Sequence, residues 1–320
     1  MIDKFEKSIS LLMAHERSIT KIRYNRKGDL LFSSGKDRAP SVWYSINGER
    51  LGSYNGHTGT VWCIDVNWDT TSFVSAAGDS TMKLWDVQTG QLKTNYTHEV
   101  PCRICAFSYD GTLVLYSSDE SMGRPCELFV VDLKEGPSKR INVSLRHHRK
   151  VTGSLWGTLD EFIVTGHENG ELVQWDMKAG EEARIEQPHT LQIMDLQTDK
   201  DLTLEILMHL KTYVTKRPIN SAAISPIRDH VSRRGQEAIE VTQTLAQTGK
   251  FEARFFHLIF EEEFARGKGH FGPINNSLAF HPDGKRCVVL VEMFYASGGE
   301  DGFVRLQYFD PDYLEYHLAY

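Results

Sequence analysis

His57, Ser75, Asp79 and Trp85 stand at offsets of 18, 22 and 28 residues from the histidine, and His15, Ser33, Asp37 and Trp43 repeat those spacings. His147, Thr165, Asn169 and Trp175 form a related third set. Four matched positions in three stretches of one chain mark a repeated structural unit. Unit starts at His15, His57, His98, His147 and His189 are 42, 41, 49 and 42 residues apart. A period of about 40–45 residues ending in Trp-Asp is the signature of four-stranded propeller blades. Within a unit, alternating runs such as VWCIDV, SFVSA and MKLWD are separated by the turn-rich NWDTT and AGDS. That is the period and punctuation of short strands. A lone blade cannot cover both of its faces, whereas stacked blades cover one another.

Later units are less regular. His98 and Asp119 begin the third, with Val131 at the tryptophan position. The sixth begins at RPINSAAISP, where Ile219 matches Ile19, Val61 and Val151, and its Asp and Trp positions fall on Gln236 and Thr242. The seventh carries His270, Ser297 and Asp301, with Gln307 at the tryptophan position. The expectation is an all-β, seven-bladed WD-repeat β-propeller, a single domain over residues 1–320. Repeat starts lie near 15, 57, 98, 147, 189, 215 and 270, and residues 1–14 close the last blade.

Two units break the spacing. From His189 the pattern calls for Asp near 211 and Trp near 217, where Lys211 and Arg217 stand, and the next unit opens 26 residues on at Thr215. QIMDLQ passes through DKDLT straight to LEILMHLKTYV, so blade five lacks its two middle strands. In unit seven, His270 and Asp301 are 31 residues apart rather than 22, with Asn275, Asn276 and CVVLVEMF in the excess. Local disorder or irregular pairing is expected at 198–215 and 286–296.

FEARFFHLIFEEEF, residues 251–264, is ambiguous by itself, since its apolar residues suit a helical stripe or a bulged strand. The repeat resolves it: 28 residues separate Thr242 from His270, twice the usual interval. KFEARFFHLIF is read as a long outermost strand of blade six and EEEFARGKG as the turn beyond. Phe251, Phe255, Phe256, Phe260, Glu261, Glu262, Glu263 and Phe264 are candidates for a partner-binding edge. Packing of the same aromatics between blades is the competing account.

Ser, His and Asp are also the components of an acyl-transfer triad. A triad occurs once, however, and this set recurs, which points to a buried hydrogen-bond chain bracing each blade. A hydrolase reading requires an exposed Ser beside a pocket. The nucleotide-binding glycine patterns and H-E-x-x-H are absent. No catalytic residue, cofactor or metal is expected. Cys102 and Cys105 form a C-x-x-C without a second pair at zinc spacing, and they fill positions held by Val61 and Ile64 in blade two. Five cysteines and no recognisable secretory leader suggest a reducing, cytoplasmic setting. A net charge of −7 argues against tight charge-driven nucleic-acid binding. RHHRK at 146–150 is the one compact basic cluster, read as a solvated rim.

HERSITKIRYNRKGDLLF, WYSINGERLGSYNGHTGTVWC, RPINSAAISP, GKFEARFFHLIFEEEFARGKGHFGPIN and GGEDGFVRLQYFDPDY resemble the subunit i family of eukaryotic translation initiation factor three. The likeness covers nearly the whole chain and is most specific at 249–275. It implies a regular seven-bladed propeller without catalytic activity. It also implies a scaffold that binds subunits b and g and reaches the small ribosomal subunit through the complex, supporting mRNA recruitment and scanning. In that family a helix from the C-terminus of subunit b lies against the later blades. The alternative is a signalling or ribosome-associated adaptor of the same fold, reading a peptide on its top face.

Overall fold

The computed structural model describes residues 6–13, 15–121, 123–135, 140–143, 150–168, 170–177, 181–186, 191–197, 206–213, 221–226, 230–234, 253–260, 262–267, 274–282 and 294–309. The regular elements there are strands, apart from one 3-10 turn at Thr158–Asp160. In chain order they are β1 (Glu6–Met13), then blade one, β2 (Ile19–Tyr24), β3 (Leu30–Gly35), β4 (Ser41–Tyr44) and β5 (Arg50–Ser53). Blade two is β6 (Val61–Val66), β7 (Ser72–Ala77), β8 (Thr81–Asp86) and β9 (Leu92–Thr97). Blade three is β10 (Cys102–Phe107), β11 (Leu113–Ser118), β12 (Leu128–Asp132) and β13 (Arg140–Val143). Blade four is β14 (Val151–Trp156), β15 (Phe162–His167), β16 (Leu172–Asp176) and β17 (Glu181–Glu186). Blade five is β18 (Leu191–Gln197) and β19 (Ile206–Tyr213). Blade six is β20 (Ser221–Ile224), β21 (His230–Arg234), β22 (Ala253–His257) and β23 (Glu263–Gly267). Blade seven is β24 (Ile274–Phe280), β25 (Phe294–Gly299) and β26 (Phe303–Phe309), with β1 as its fourth strand.

Five of the four-stranded sheets are antiparallel meanders, the sixth is completed by β1, and among the described residues blade five has two strands. The chain divides into two compact units, residues 1–102 with 217–320, and residues 103–216.

In the first unit, strand alternation sends successive side chains to opposite faces, and each face meets the next blade. Leu31 packs with Ala296, Val304 and Leu306 of blade seven, while its neighbour Phe32 packs with Val61, Ile64 and Phe73 of blade two. Phe255 and Phe264 of blade six meet Phe280 and Tyr295 of blade seven. Polar ties run beside this core. His281 Nε2 lies 2.7 Å from the Gly28 carbonyl oxygen, and Thr20 donates to the Val61 carbonyl at 2.6 Å.

The second unit uses similar devices. Tyr116 and Phe129 stack at 5.1 Å within blade three. Trp156 of blade four donates to the Ala106 carbonyl at 3.2 Å. Asp160, held at φ 58°, accepts backbone N–H groups from Tyr109 at 2.6 Å and Asp110 at 3.1 Å. Its left-handed conformation aims one carboxylate at both donors of a neighbouring turn.

One expectation needs correction. Blade six does not hold one long strand over 250–260. Ala253–His257 is its third strand, a tight turn follows, and Glu263–Gly267 is the outermost strand. In blades one, two, four and six the outer pair slips by one residue directly before Trp43, Trp85, Trp175 and Phe256. Phe256 pairs with Val231 as Trp85 pairs with Phe73. The tryptophan position of blade six is therefore Phe256, not Thr242, and the extra residues fall between the second and third strands. Gln236 and Thr242 lie outside the described residues. Within 198–215 the strand Ile206–Tyr213 pairs with Leu191–Gln197 through a register slip at Ile193/Met194, facing Lys211 and His209, so the pairing there is irregular as expected. Within 286–296 the described residues, from Phe294 onward, pair regularly with β26. β24 carries a bulge, where five residues from Ile274 to Leu278 face three from Gly299 to Ser297. The doubled asparagine falls in this bulge, and the remainder of both segments lies outside the described residues.

Candidate interaction surface

In blade two the imidazole of His57 has Nδ1 at 2.9 Å from Asp79 Oδ2 and Nε2 at 2.7 Å from Ser75 Oγ. Trp85 Nε1 donates to the same Oγ at 2.8 Å. Because Ser75 Oγ accepts from Trp85, its own proton is left to donate to Nε2, which sets Nδ1–H as the donor to Asp79. Blade one repeats this: His15 Nδ1 to Asp37 at 2.6 Å, Nε2 to Ser33 at 2.9 Å, and Trp43 Nε1 to Ser33 at 2.9 Å. The sets tie the turn that opens each blade to its second and third strands. His57 and Ser75 are buried, so neither is open to a substrate.

Burial pushes the Asp79 carboxyl up, yet it lies well below the ordinary carboxylate range. Hydrogen bonds from His57, the Thr81 hydroxyl and the Thr58 N–H, together with attraction to His57, outweigh the burial. Cys126, in blade three, shows the opposite balance: burial pushes its thiol up to about 11. The buried cysteines Cys63, Cys102, Cys105 and Cys126 are free thiols.

Blades four and seven depart from the pattern. Trp175 donates to Thr165 Oγ1 at 2.9 Å, but the described imidazole on that hydroxyl is His167, two residues along the same strand, at 3.1 Å. His147 and Asn169 lie outside the described residues. In blade seven Asp301 holds Arg305 at 2.7 Å, and the Ser297 hydroxyl faces Gln307 Oε1 at 3.4 Å; His270 lies outside the described residues. His167 and Arg305 were not singled out from sequence. They bond at separations of two and four residues, outside the 18-22-28 frame.

The candidate partner edge divides. Phe255, Phe256 and Phe264 are buried at 1%, 5% and 8% exposure and pack inside the structure, so they offer no edge. Phe260 is 42% exposed, Glu262 is exposed and Glu263 is half-buried. Phe251 and Glu261 lie outside the described residues. Glu263 is occupied by Arg266 and, at 3.6 Å, by Arg254. Two exposed apolar residues missed from sequence accompany Phe260 on blade six: Ile224 and Ile259, 54% and 51% exposed. An antiparallel meander places its first and third turns at the same end of the sheet. Ile224 ends β20 and Ile259 and Phe260 form the turn after β22, so all three share that end. In the same unit Ile46 and Trp68 are also exposed in turns of this kind.

Repeated antiparallel blades braced by buried Trp-Ser-His-Asp chains define a WD-repeat β-propeller. The β-propeller domain of Myceliophteria thermophila Cps50 (Swd1) is a solved structure with this fold. It superposes with a TM-score of 0.75 at 14% identity, over 93% of this chain and 99% of its own. The EIF3I family model matches residues 7–319. Eukaryotic translation initiation factor 3 subunit I of Nematostella vectensis is 51% identical over 97% of this chain and 98% of its own length. That of Drosophila willistoni is 52% identical over 95% and 99%, and that of Taeniopygia guttata 50% over 96% and 98%. The chain belongs to the family of eukaryotic translation initiation factor 3 subunit I, a translation-factor family and not an enzyme family. Among the described residues no helix is long and apolar enough to cross a membrane.

Proposed function

We propose that this chain is a non-catalytic scaffold of the cytoplasmic initiation factor 3 complex. It acts as one propeller domain over residues 1–320, holding subunits b and g and meeting the small ribosomal subunit through the complex. In that role it supports mRNA recruitment and scanning. The observation that carries the reading is the exposure of the apolar residues Ile224, Ile259 and Phe260 on blade six, together with the exposed carboxylate of Glu262. Apolar side chains at one end of a rigid sheet suit the apolar stripe of an amphipathic helix, and the acid suits a basic residue on its rim. The recurring polar sets contribute rigidity, which keeps separate surface patches at fixed positions.

Pull-down of subunit b and subunit g fragments by the purified chain tests the reading. The chain is expected to recover both. The double variant Ile259→Ala/Phe260→Ala is expected to lose subunit b about tenfold or more, as truncated apolar anchors do. Recovery of neither subunit, by this chain or by one with blade five restored to four strands, overturns the proposal.

A further inference from the structure

At the opposite end of blade one from its first and third turns lies a cavity of about 700 Å³, bounded by the opening turns of blades one and two. Four cations line it, Arg17, Lys36, Arg38 and Arg50, against two acids, Glu16 and Asp37. Asp37 is already committed to His15. Arg50 is anchored by bonds to the Ser41 and Ser53 hydroxyls and lies 5.4 Å from the ring centre of Trp43. Arg17, Lys36 and Arg38 are exposed, and their side chains make no hydrogen bond or ion pair among the described residues. The lining thus carries a positive excess on a chain whose net charge is −7.

The repeat shows that the fold does not ask for these cations. Forty-two residues on, the positions of Arg17, Lys36 and Arg38 are Gly59, Gly78 and Ser80. The backbone bonds are the same in both blades: Lys36 N–H donates to Ser18 and Gly78 N–H to Thr60, each at 2.8 Å. Blade two closes the identical turn with no cation. Three uncommitted cations around a concavity therefore call for a ligand rather than for a structural role.

We infer that this cavity is a docking site for an acidic segment, rich in Asp and Glu, of a partner protein. Its volume lies within the range of about 300–1,000 Å³ typical of small ligand sites, enough for a few side chains but not for a duplex. Two interspersed carboxylates disfavour a continuous phosphate backbone, which seeks an unbroken run of cations. A short peptide can place its carboxylates between them.

Fluorescence anisotropy of the full chain tests the inference with three labelled probes: a Glu/Asp-rich decapeptide, its Gln/Asn counterpart and a ten-nucleotide oligouridine. The acidic peptide is expected to bind about tenfold or more tighter than its neutral counterpart, and more weakly as salt rises from 50 to 300 mM. Arg17→Ala/Arg38→Ala is expected to abolish that preference. Lys27→Glu, an exposed change in the first turn of the same blade with the same alteration of net charge, is expected to keep it. Because both sets of changes are at exposed positions, thermal melts of the variants should match the parent. Equal binding of acidic and neutral peptides, tighter binding of oligouridine, or equal loss in the Lys27→Glu control each overturns it.

Discussion

At the scale of single residues, the informative group is Asp79, which receives four hydrogen bonds while its neighbours bury it. The carboxyl is held below its unfolded value of about 3.9. Its contribution to stability is therefore complete above that pH and is lost as pH falls toward the folded value, because the unfolded chain takes up the proton first. Asp79→Asn is expected to lower the melting temperature at neutral pH and to flatten the fall in stability between about pH 5 and 2. Thermal melts of both proteins across that range measure it, and parallel acid limbs would show that Asp79 is not the titrating brace. Trp85→Phe keeps an aromatic six-membered ring but removes the pyrrole half of the indole with the Nε1–H that donates to Ser75. Breaking one buried hydrogen bond while the partner stays buried costs about 1–3 kcal/mol, readable as a lower urea midpoint at unchanged slope.

At the scale of elements, the turn that opens blade two leaves little room. A methyl group on Gly59 would lie 2.7 Å from the Asp79 backbone nitrogen and 3.0 Å from the Gly78 carbonyl carbon. Gly59→Ala should shift the turn and, with it, the N–H of Thr58 that bonds Asp79; a melting temperature equal to the parent's would refute that. The fold was most legible where such turns recur at fixed spacing: His15, His57, Trp43 and Trp85 could be located by counting. It was least legible in blade six, because counting needs landmarks and Phe256 stands where a tryptophan would have shown the position of the inserted residues. A phenylalanine among five in fourteen residues carries no label, whereas the one-residue slip before it does. The burial of Phe255 and Phe264 was hidden for a related reason. They lie on adjacent strands joined by a turn, and spacing shows neither that they share a side nor that Tyr295 and Phe280 of the next blade cover it. Ile224 escaped notice because an exposed isoleucine at a strand end looks, in sequence, like any other strand residue.

At the scale of the molecule, the chain binds its own beginning to its end. Glu6–Met13 pairs with Phe303–Phe309 from Met13↔Phe303 to Glu6↔Phe309, with one slip near Ser8. The inner side of Phe303–Phe309 is already engaged by Phe294–Gly299. Removing residues 1–13 would leave its other side as a bare row of backbone donors and acceptors, the kind of edge that recruits another strand. The same pairing also leads into the polar set of blade one, since His15 N–H donates to the Gly302 carbonyl at 3.1 Å. Deletion should therefore raise amide hydrogen exchange along 303–309 and in the turn before it, and promote self-association with concentration. Amides of blade four, in the other compact unit, serve as the internal reference, and their protection should change least. If exchange at 303–309 stayed as slow as in the full chain, with the truncated chain monomeric in sedimentation, the first strand would be an accessory and the closure would lie in contacts between blades alone.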